Sequence, residues 1–417
     1  MKLLAPLFPF LAGLVPQGAA QVTMTDLGSP GGRFARALFV SEDGARILGE
    51  IGPAFQEAAV VWSTEGEWVE LDLLGGERAG PLGLSRDGST AFGWITGAGF
   101  PLRRVVWDLQ SGQTYHYNSE AQTHSVLSGD GSTLLGTRSV GGVYSIPFRW
   151  TRSGGYEALD GFTDLAVEFY AGSDAGDVFV GVAQTSSSSR RAIRWTSSGG
   201  FERLTGALMT VDGIAQQVSR DGAVIAGIFD QGTAWRPFLW TAAGGTQQLS
   251  GLPPGSVFNV LLSGDGSTLI ANVGGNLHRW RESSSWQRIA GPGFLPVAVS
   301  DDGSVVAGSG NGPTFDSRIP LRWSESGGSE LLPGFDVSGI GEPMDISGDG
   351  SVIVGVSLAD TTLKRRATTW PTDGRFGTAY CSPPVVNSVG EFGELALSGS
   401  NALSHDEHCG HAWRKMG

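Results

Sequence analysis

A chain of 417 residues is long enough for two or three average domains, yet Gly is its commonest residue at 65 copies and only 17% of its residues are charged. With no helix-period run past the N-terminus, that balance excludes helical bundles and points to many short strands joined by tight turns. A net charge of −13 excludes nucleic acid and anionic membrane as principal partners, because phosphate binding needs a basic surface.

The chain opens with one basic residue, Lys2, an apolar stretch from Leu3 to Val15, and Pro16-Gln17-Gly18-Ala19-Ala20. This is the layout of a secretory signal peptide cut after Ala20. The apolar run is too short to span a bilayer, so no membrane insertion is expected. Residues 21–417 are expected to be secreted, into the extracellular or periplasmic space.

Next, Gln21 to Gly28 reads as a short strand, and a repeat begins behind it. Its first element is Ser-x-Asp-Gly, at Ser41–Gly44, Ser85–Gly88, Ser128–Gly131, Ser219–Gly222, Ser263–Gly266, Ser300–Gly303 and Ser347–Gly350. A degenerate copy, Ser173-Asp174-Ala175-Gly176, fills the gap. Such a turn needs a left-handed residue, which suits Gly, and lets Ser and Asp bond nearby amides. A second Gly follows five residues later at 49, 93, 136, 181, 227, 308 and 355, with Ala271 as the exception. Each copy then carries a β-branched strand, such as Val352-Ile353-Val354, and an apolar strand ending in Trp: Trp62, Trp107, Trp150, Trp195, Trp240, Trp280, Trp323 and Trp370. A Gly-rich turn and a segment ending in Leu, as at Leu159, Leu204, Leu249 and Leu332, complete four strands.

Four strands repeated about every 40 to 50 residues are the signature of a propeller, whose blades must stack to cover their apolar faces. The expected fold is therefore all-β: a single eight-bladed β-propeller of four-stranded blades over residues 21–376. The strict register of the Trp inside apolar strands predicts plugs between blades rather than an aromatic binding surface. The eighth repeat breaks at Pro371-Thr372-Asp373-Gly374 without a fourth strand, whereas Thr23-Met24-Thr25-Asp26-Leu27 resembles the fourth strand Val69-Glu70-Leu71-Asp72-Leu73. The N-terminal strand is thus predicted to supply the outer strand of the last blade, removing an exposed edge.

Residues 377–417 form a tail holding both cysteines, Cys381 and Cys409. Export favours a disulfide between them, although the sequence does not fix the pairing. The same tail carries His405-Asp406-Glu407-His408-Cys409-Gly410-His411, whose residue types suit a metal. It has no partner cluster and reads as a solvated tail; neither metal nor cofactor is expected.

The composite of Ser-x-Asp-Gly, β-branched run, Gly, Pro-Phe-x-Trp-Thr and Gly-Gly resembles the HAF-repeat proteins, a bacterial family of extracellular repeats. Ile146-Pro147-Phe148-Arg149-Trp150-Thr151 and Arg236-Pro237-Phe238-Leu239-Trp240-Thr241 carry it most clearly, and it spans residues 22 to 376. The His that names the family is absent; Ile146, Arg191, Arg236 and Arg366 stand there. The resemblance implies location and architecture but no activity. The stretch from Tyr380-Cys381-Ser382-Pro383 to Val386-Asn387-Ser388 also resembles the opening of a Cys-containing extracellular module, here cut short.

No nucleophile elbow, zinc-protease helix or phosphate loop occurs in context, and the repeated Asp residues sit in turns. The connections between second and third strands, and between blades, vary in length and share one face of a propeller. Loops over a rigid scaffold carry recognition, so that face is the expected binding surface. Basic and aromatic residues recur on it: Arg103, Arg104, Arg190, Arg191, Trp235, Arg236, Arg318, Arg365 and Arg366. Such a collar suits a carboxylate, a sulfate or a sugar ring. The expected function is a non-catalytic binding or scaffold module for an extracellular glycan or protein. The alternatives are a polysaccharide hydrolase or lyase and a structural protein of envelope or matrix.

Overall fold

The computed structural model describes residues 22, 24–28, 34–53, 56–63, 67–118, 122–140, 144–162, 164–186, 189–204, 211–312, 318–334, 339–359 and 364–372. The expected signal peptide, the tail with Cys381 and Cys409, and the histidine cluster lie outside the described residues.

Eight antiparallel sheets of four strands, a to d from the channel outward, make the blades. Blade 1 is Ala35–Val40, Arg46–Ile51, Ala58–Ser63 and Trp68–Glu70; blade 2 is Arg78–Leu84, Thr90–Gly97, Phe100–Asp108 and Thr114–Asn118. Blade 3 is Gln122–Leu127, Thr133–Val140, Tyr144–Thr151 and Gly155–Ala158; blade 4 is Ala166–Gly172, Val178–Ser186, Ser189–Thr196 and Gly200–Arg203. Blade 5 is Gly213–Val218, Val224–Asp230, Trp235–Thr241 and Gly245–Gln248; blade 6 is Val260–Leu262, Thr268–Val273, Asn276–Arg281 and Ser285–Ala290. Blade 7 is Leu295–Val299, Val305–Asn311, Arg318–Ser324 and Gly328–Leu331. Blade 8 takes Gly341–Ile346, Val352–Ala359 and Lys364–Pro371 from the end of the repeats, and Thr25–Asp26 as its strand d. The eight-bladed propeller and its closure by the N-terminal strand are as the repeat predicts.

The closing strand copies the other blades atom for atom. Leu27 N–H donates to the Ala367 carbonyl as Leu159 does to Pro147, Leu204 to Ala192 and Leu332 to Pro320. Its side chain is buried like those of Leu204, Leu249 and Leu332. Arg366 adds an ion pair to Asp26 at 3.0 Å.

The Ser-x-Asp-Gly turn is a small hydrogen-bonded machine. Each Ser is buried, and its Oγ accepts the N–H five residues on, for example Arg46, Thr90 and Val352. The hydroxyl donates to the Asp carboxylate two residues on, as Ser219 does to Asp221 at 2.6 Å. In the degenerate copy, Asp177 supplies the carboxylate that Ala175 cannot. The turn Gly is left-handed, with φ between 66° (Gly176) and 73° (Gly266), where a side chain is disfavoured. A Cβ on Gly350 would also press on Ser300 and Val305 of the preceding blade.

The second Gly has a different cause. In seven blades strand a carries a bulge, and in six of them, read from the register, one residue is extra: Leu38, Leu82, Tyr170, Gln216, Val297 and Met344. The bulge drives a strand-a carbonyl onto the Gly of strand b, so that a Cβ at Gly49, Gly227 or Gly355 would collide with the oxygen of Arg36, Ile214 or Glu342. Blade 6, which has Ala271 instead, pairs without a bulge.

Seven of the register tryptophans are buried, from Trp370 at 0% exposure to Trp195 and Trp323 at 5%, and Trp280 is partly buried. They plug the gaps between blades. The indole N–H of Trp370 reaches back to the Pro333 carbonyl of the preceding blade at 2.8 Å, and that of Trp107 to Asp72 at 2.9 Å.

Candidate functional site

The nine collar residues all lie early in strand c, on the face of the variable loops, and their contacts are with nearby loops or the adjoining blade. The Arg236 guanidinium donates to the carbonyls of Leu252, Pro253 and Gly255 at 2.7–2.9 Å, pinning the crossing from blade 5 to blade 6. Arg191 pairs with Asp212 at 2.9 Å, Arg318 bonds Asn311 at 3.1 Å and Arg366 holds Asp26. Burial holds the Arg104 guanidinium below its ordinary pKa, against the pull of Tyr117, while Arg103 sits on the same strand. Two pairings cross between blades: Arg190 lies 5.9 Å from the Trp235 ring, and Arg365 lies 5.7 Å from Phe34. The collar is therefore a set of separate rim contacts, with Arg190 and Trp235 its one arginine–aromatic pairing among the predicted residues.

The centre of the ring holds what the sequence reading passed over. Strands a of neighbouring blades touch one another around a channel. The bulge residues turn toward it, because the innermost strand has no other solvent to face: Leu82 is 42% exposed, Tyr170 39% and Val297 39%. Leu295 and Phe258, the latter 77% exposed, add apolar surface toward the variable-loop end. Tyr170 donates to Glu168 at 2.8 Å; burial first, then Glu168, pushes its phenol above the ordinary tyrosine range.

At the other end the channel is closed. The x positions of the repeat are Glu42, Arg86, Gly129, Asp174, Arg220, Gly264, Asp301 and Gly348. Around the whole ring, backbone N–H groups of these turns donate to the next blade's turn: Glu42 to Arg86, Asp87 to Gly129, Asp130 to Asp174, Asp174 to Arg220, Arg220 to Gly264, Asp265 to Asp301, Asp301 to Gly348 and Gly348 to Glu42. Inside this hoop the charged side chains meet across the diameter. Arg220 of blade 5 pairs with Glu42 of blade 1 at 2.8 Å and with Asp301 of blade 7; Arg86 of blade 2 pairs with the same Asp301 and, at 3.4 Å, with Asp174 of blade 4. The three glycines leave the room: a Cβ on Gly264 or Gly348 would strike the Asp301 carboxylate, and one on Gly129 that of Asp174. Burial raises the Asp174 pKa, opposed by Arg86 and Arg220.

Outside this plug lies a depression of about 770 Å³ lined by Glu42, Asp43, Arg86, Asp87, Asp301, Asp302, Gly348 and Asp349. Its outer carboxylates serve the turns: the Ser219 hydroxyl and the Ala223 N–H hold the equivalent Asp221 below the usual carboxylate range. Among the described residues no group of three or more His, Cys, Asp or Glu is arranged to hold a metal ion. Also among the described residues, no helix is long and apolar enough to cross a membrane.

The signal for the plug was present in the sequence as charged residues alternating with Gly at one repeat position. The channel-facing bulge residues left only the second Gly as their trace.

No family model and no curated protein sequence matches the chain. Among solved structures, the chain is similar to a prolyl endopeptidase at 14% identity and TM-score 0.53, 72% of it covering 49% of that chain. It is similar to the β-propeller domain of the trilobed protease from Pyrococcus furiosus, at 12% identity and TM-score 0.52, over 73% of this chain and 99% of that one. The oligogalacturonate lyase from Vibrio parahaemolyticus matches at 12% identity and TM-score 0.50, over 85% and 95%. The chain spans 49% of the prolyl endopeptidase and 63% of a TolB from Acinetobacter baumannii, the latter at TM-score 0.39. At these identities the likeness is one of fold, that of a β-propeller.

Proposed function

We propose that this chain is a secreted, non-catalytic binding module of the HAF-repeat type that takes a ligand at the variable-loop end of its channel. The observation that supports this most is the asymmetry of the channel: charged side chains span it at the Ser-x-Asp-Gly end, while apolar groups as exposed as Phe258 stand toward the other. A concave apolar surface with a few polar groups above it is the usual form of a ligand site. Arg190, stacked near Trp235, offers an anionic or sugar-bearing ligand a cation beside an aromatic face.

The test is a binding screen of residues 21–417 against acidic and neutral glycans and divalent metals, with product analysis of every hit. Binding without turnover, weakened about tenfold (about 1.4 kcal/mol) by Phe258→Ala or Arg190→Ala, supports the reading. Released product makes the chain an enzyme instead. Weakening by Asp43→Asn or Asp349→Asn, with no effect of the first two variants, moves the site to the opposite face.

A further inference from the structure

Phe258 is 77% exposed, yet the backbone around it is tied down bond by bond. Blade 6 lacks the bulge, and its ladder between strands a and b begins only at Val260, so strand b does not support residues 256–259. Blade 5 supplies the support instead. Its bulge residue Gln216, left out of its own ladder, lays its carboxamide on this segment: Nε2 donates to the Phe258 carbonyl at 3.1 Å, and Oε1 accepts the Val260 N–H at 3.2 Å. The Val257 N–H donates to the Trp235 carbonyl at 2.9 Å, and Arg236 holds the carbonyls of Leu252, Pro253 and Gly255. Val257 is fully buried in the cluster that contains Leu252, whereas its neighbour Phe258 faces solvent.

We propose that Gln216 and Arg236 are positioning residues of the channel-mouth site: they fix Phe258 as a rigid aromatic anchor, beside Trp235 and Arg190, for a ligand that joins a flat apolar ring to an anionic group. This rests on the reading of that end of the channel as the binding surface.

The residue type at position 216 carries the first part of the argument. The other single-residue bulges hold Leu38, Leu82, Tyr170, Val297 and Met344, none of them a carboxamide. A carboxamide presents a donor and an acceptor side by side as a peptide group does, so Gln216 completes the pairing of residues 258 and 260 where strand b does not reach. One exposed apolar side chain is ordinary on a protein surface. Holding its backbone still is a different matter, because ordering costs conformational entropy and an outward-facing ring returns nothing to the core. A ligand recovers that cost, since an aromatic anchor already in place has less freedom to lose on binding.

The neighbours of Phe258 define the ligand. Trp235 accepts the N–H of the residue before Phe258, and the Arg190 guanidinium lies 5.9 Å from the Trp235 ring. Cation, indole and phenyl thus follow one another across blades 4, 5 and 6. A ring stacked on Phe258 with an acid group reaching toward Arg190 uses this row from end to end.

The test uses 8-anilinonaphthalene-1-sulfonate, whose aromatic rings and sulfonate match this row, titrated by fluorescence into residues 21–417 and their variants. Chymotrypsin cleavage of the Phe258–Asn259 bond, followed by mass spectrometry, reports on the clamp itself. Gln216→Leu removes both bonds and is expected to speed that cleavage, and to weaken dye binding, about tenfold. Arg236→Met is expected to act in the same direction, and decides the matter alone if Gln216→Leu does not fold. In the Phe258→Ala background neither substitution should weaken dye binding further, because the clamp acts through that ring. Equal losses with and without Phe258 overturn the proposal, as do variants that are cut and bind like the parent. If Phe258→Ala leaves dye binding unchanged while Gln216→Leu still speeds cleavage, the reading of this end as the binding surface falls and the clamp stands.

Discussion

The two ends of the channel are built from the same eight repeats and differ in almost every physical respect. At the Ser-x-Asp-Gly end each blade contributes the same short turn, with backbone atoms in register around a closed hoop and five charged side chains meeting at its centre. At the other end the connections differ from blade to blade, arginines are tied to local carbonyls and carboxylates, and apolar side chains such as Phe258 face solvent. Repetition marks where the ring holds itself together, and departures from repetition mark where it has surface to offer.

The largest expected effect breaks the ring at its seam. Deleting residues 21–28 strips blade 8 of strand d and exposes the edge of Lys364–Pro371, so cooperative unfolding of the whole propeller should be lost. A deletion variant that melts with the parent would show that the seam is closed by other contacts. Next, Trp370→Ala should cost on the order of 3–5 kcal/mol in denaturant unfolding. Phe258→Ala, at the open end, should stay within about 0.5 kcal/mol of the parent. Equal costs would erase the contrast between plug and surface aromatics.

Smaller effects sharpen the comparison. Gly355→Ala should cost about 1–3 kcal/mol, because the bulge carbonyl of Glu342 has nowhere to go. Ala271→Gly in the blade without a bulge should cost about 0.5–1 kcal/mol, from chain entropy alone. The smallest concerns the plug: Arg220→Met leaves Glu42, Asp174 and Asp301 with one arginine, and because these side chains are 21–42% exposed the loss should be about 1 kcal/mol or less. High salt should shrink it; a salt-independent loss would mean that Arg220 acts by packing.

Much of this was legible before any coordinates. Ser41 to Gly44 and its copies announce the turn because a left-handed residue and a bonded Asp are local demands, and the Trp register announces inter-blade burial because apolar strands need a cover. Thr25-Asp26-Leu27 could be matched to a strand d by pattern. Less was legible at the site. Arg236 and Arg366 looked free for a ligand, and only the fold shows their guanidinium groups on Leu252, Pro253, Gly255 and Asp26. Glu42, Arg86, Asp174, Arg220 and Asp301 are 44 to 259 residues apart, and nothing local says that they share one point.

By itself the sequence determined the unit, its number, its turn chemistry and the strand that closes the ring, since each follows from backbone geometry and burial within about one repeat length. Tertiary structure decided where the charges go. Eight turns brought onto one axis set the x-position side chains against each other across the diameter. Ring closure creates those neighbours, because side chains a half-turn of the propeller apart become adjacent only once every blade is in place.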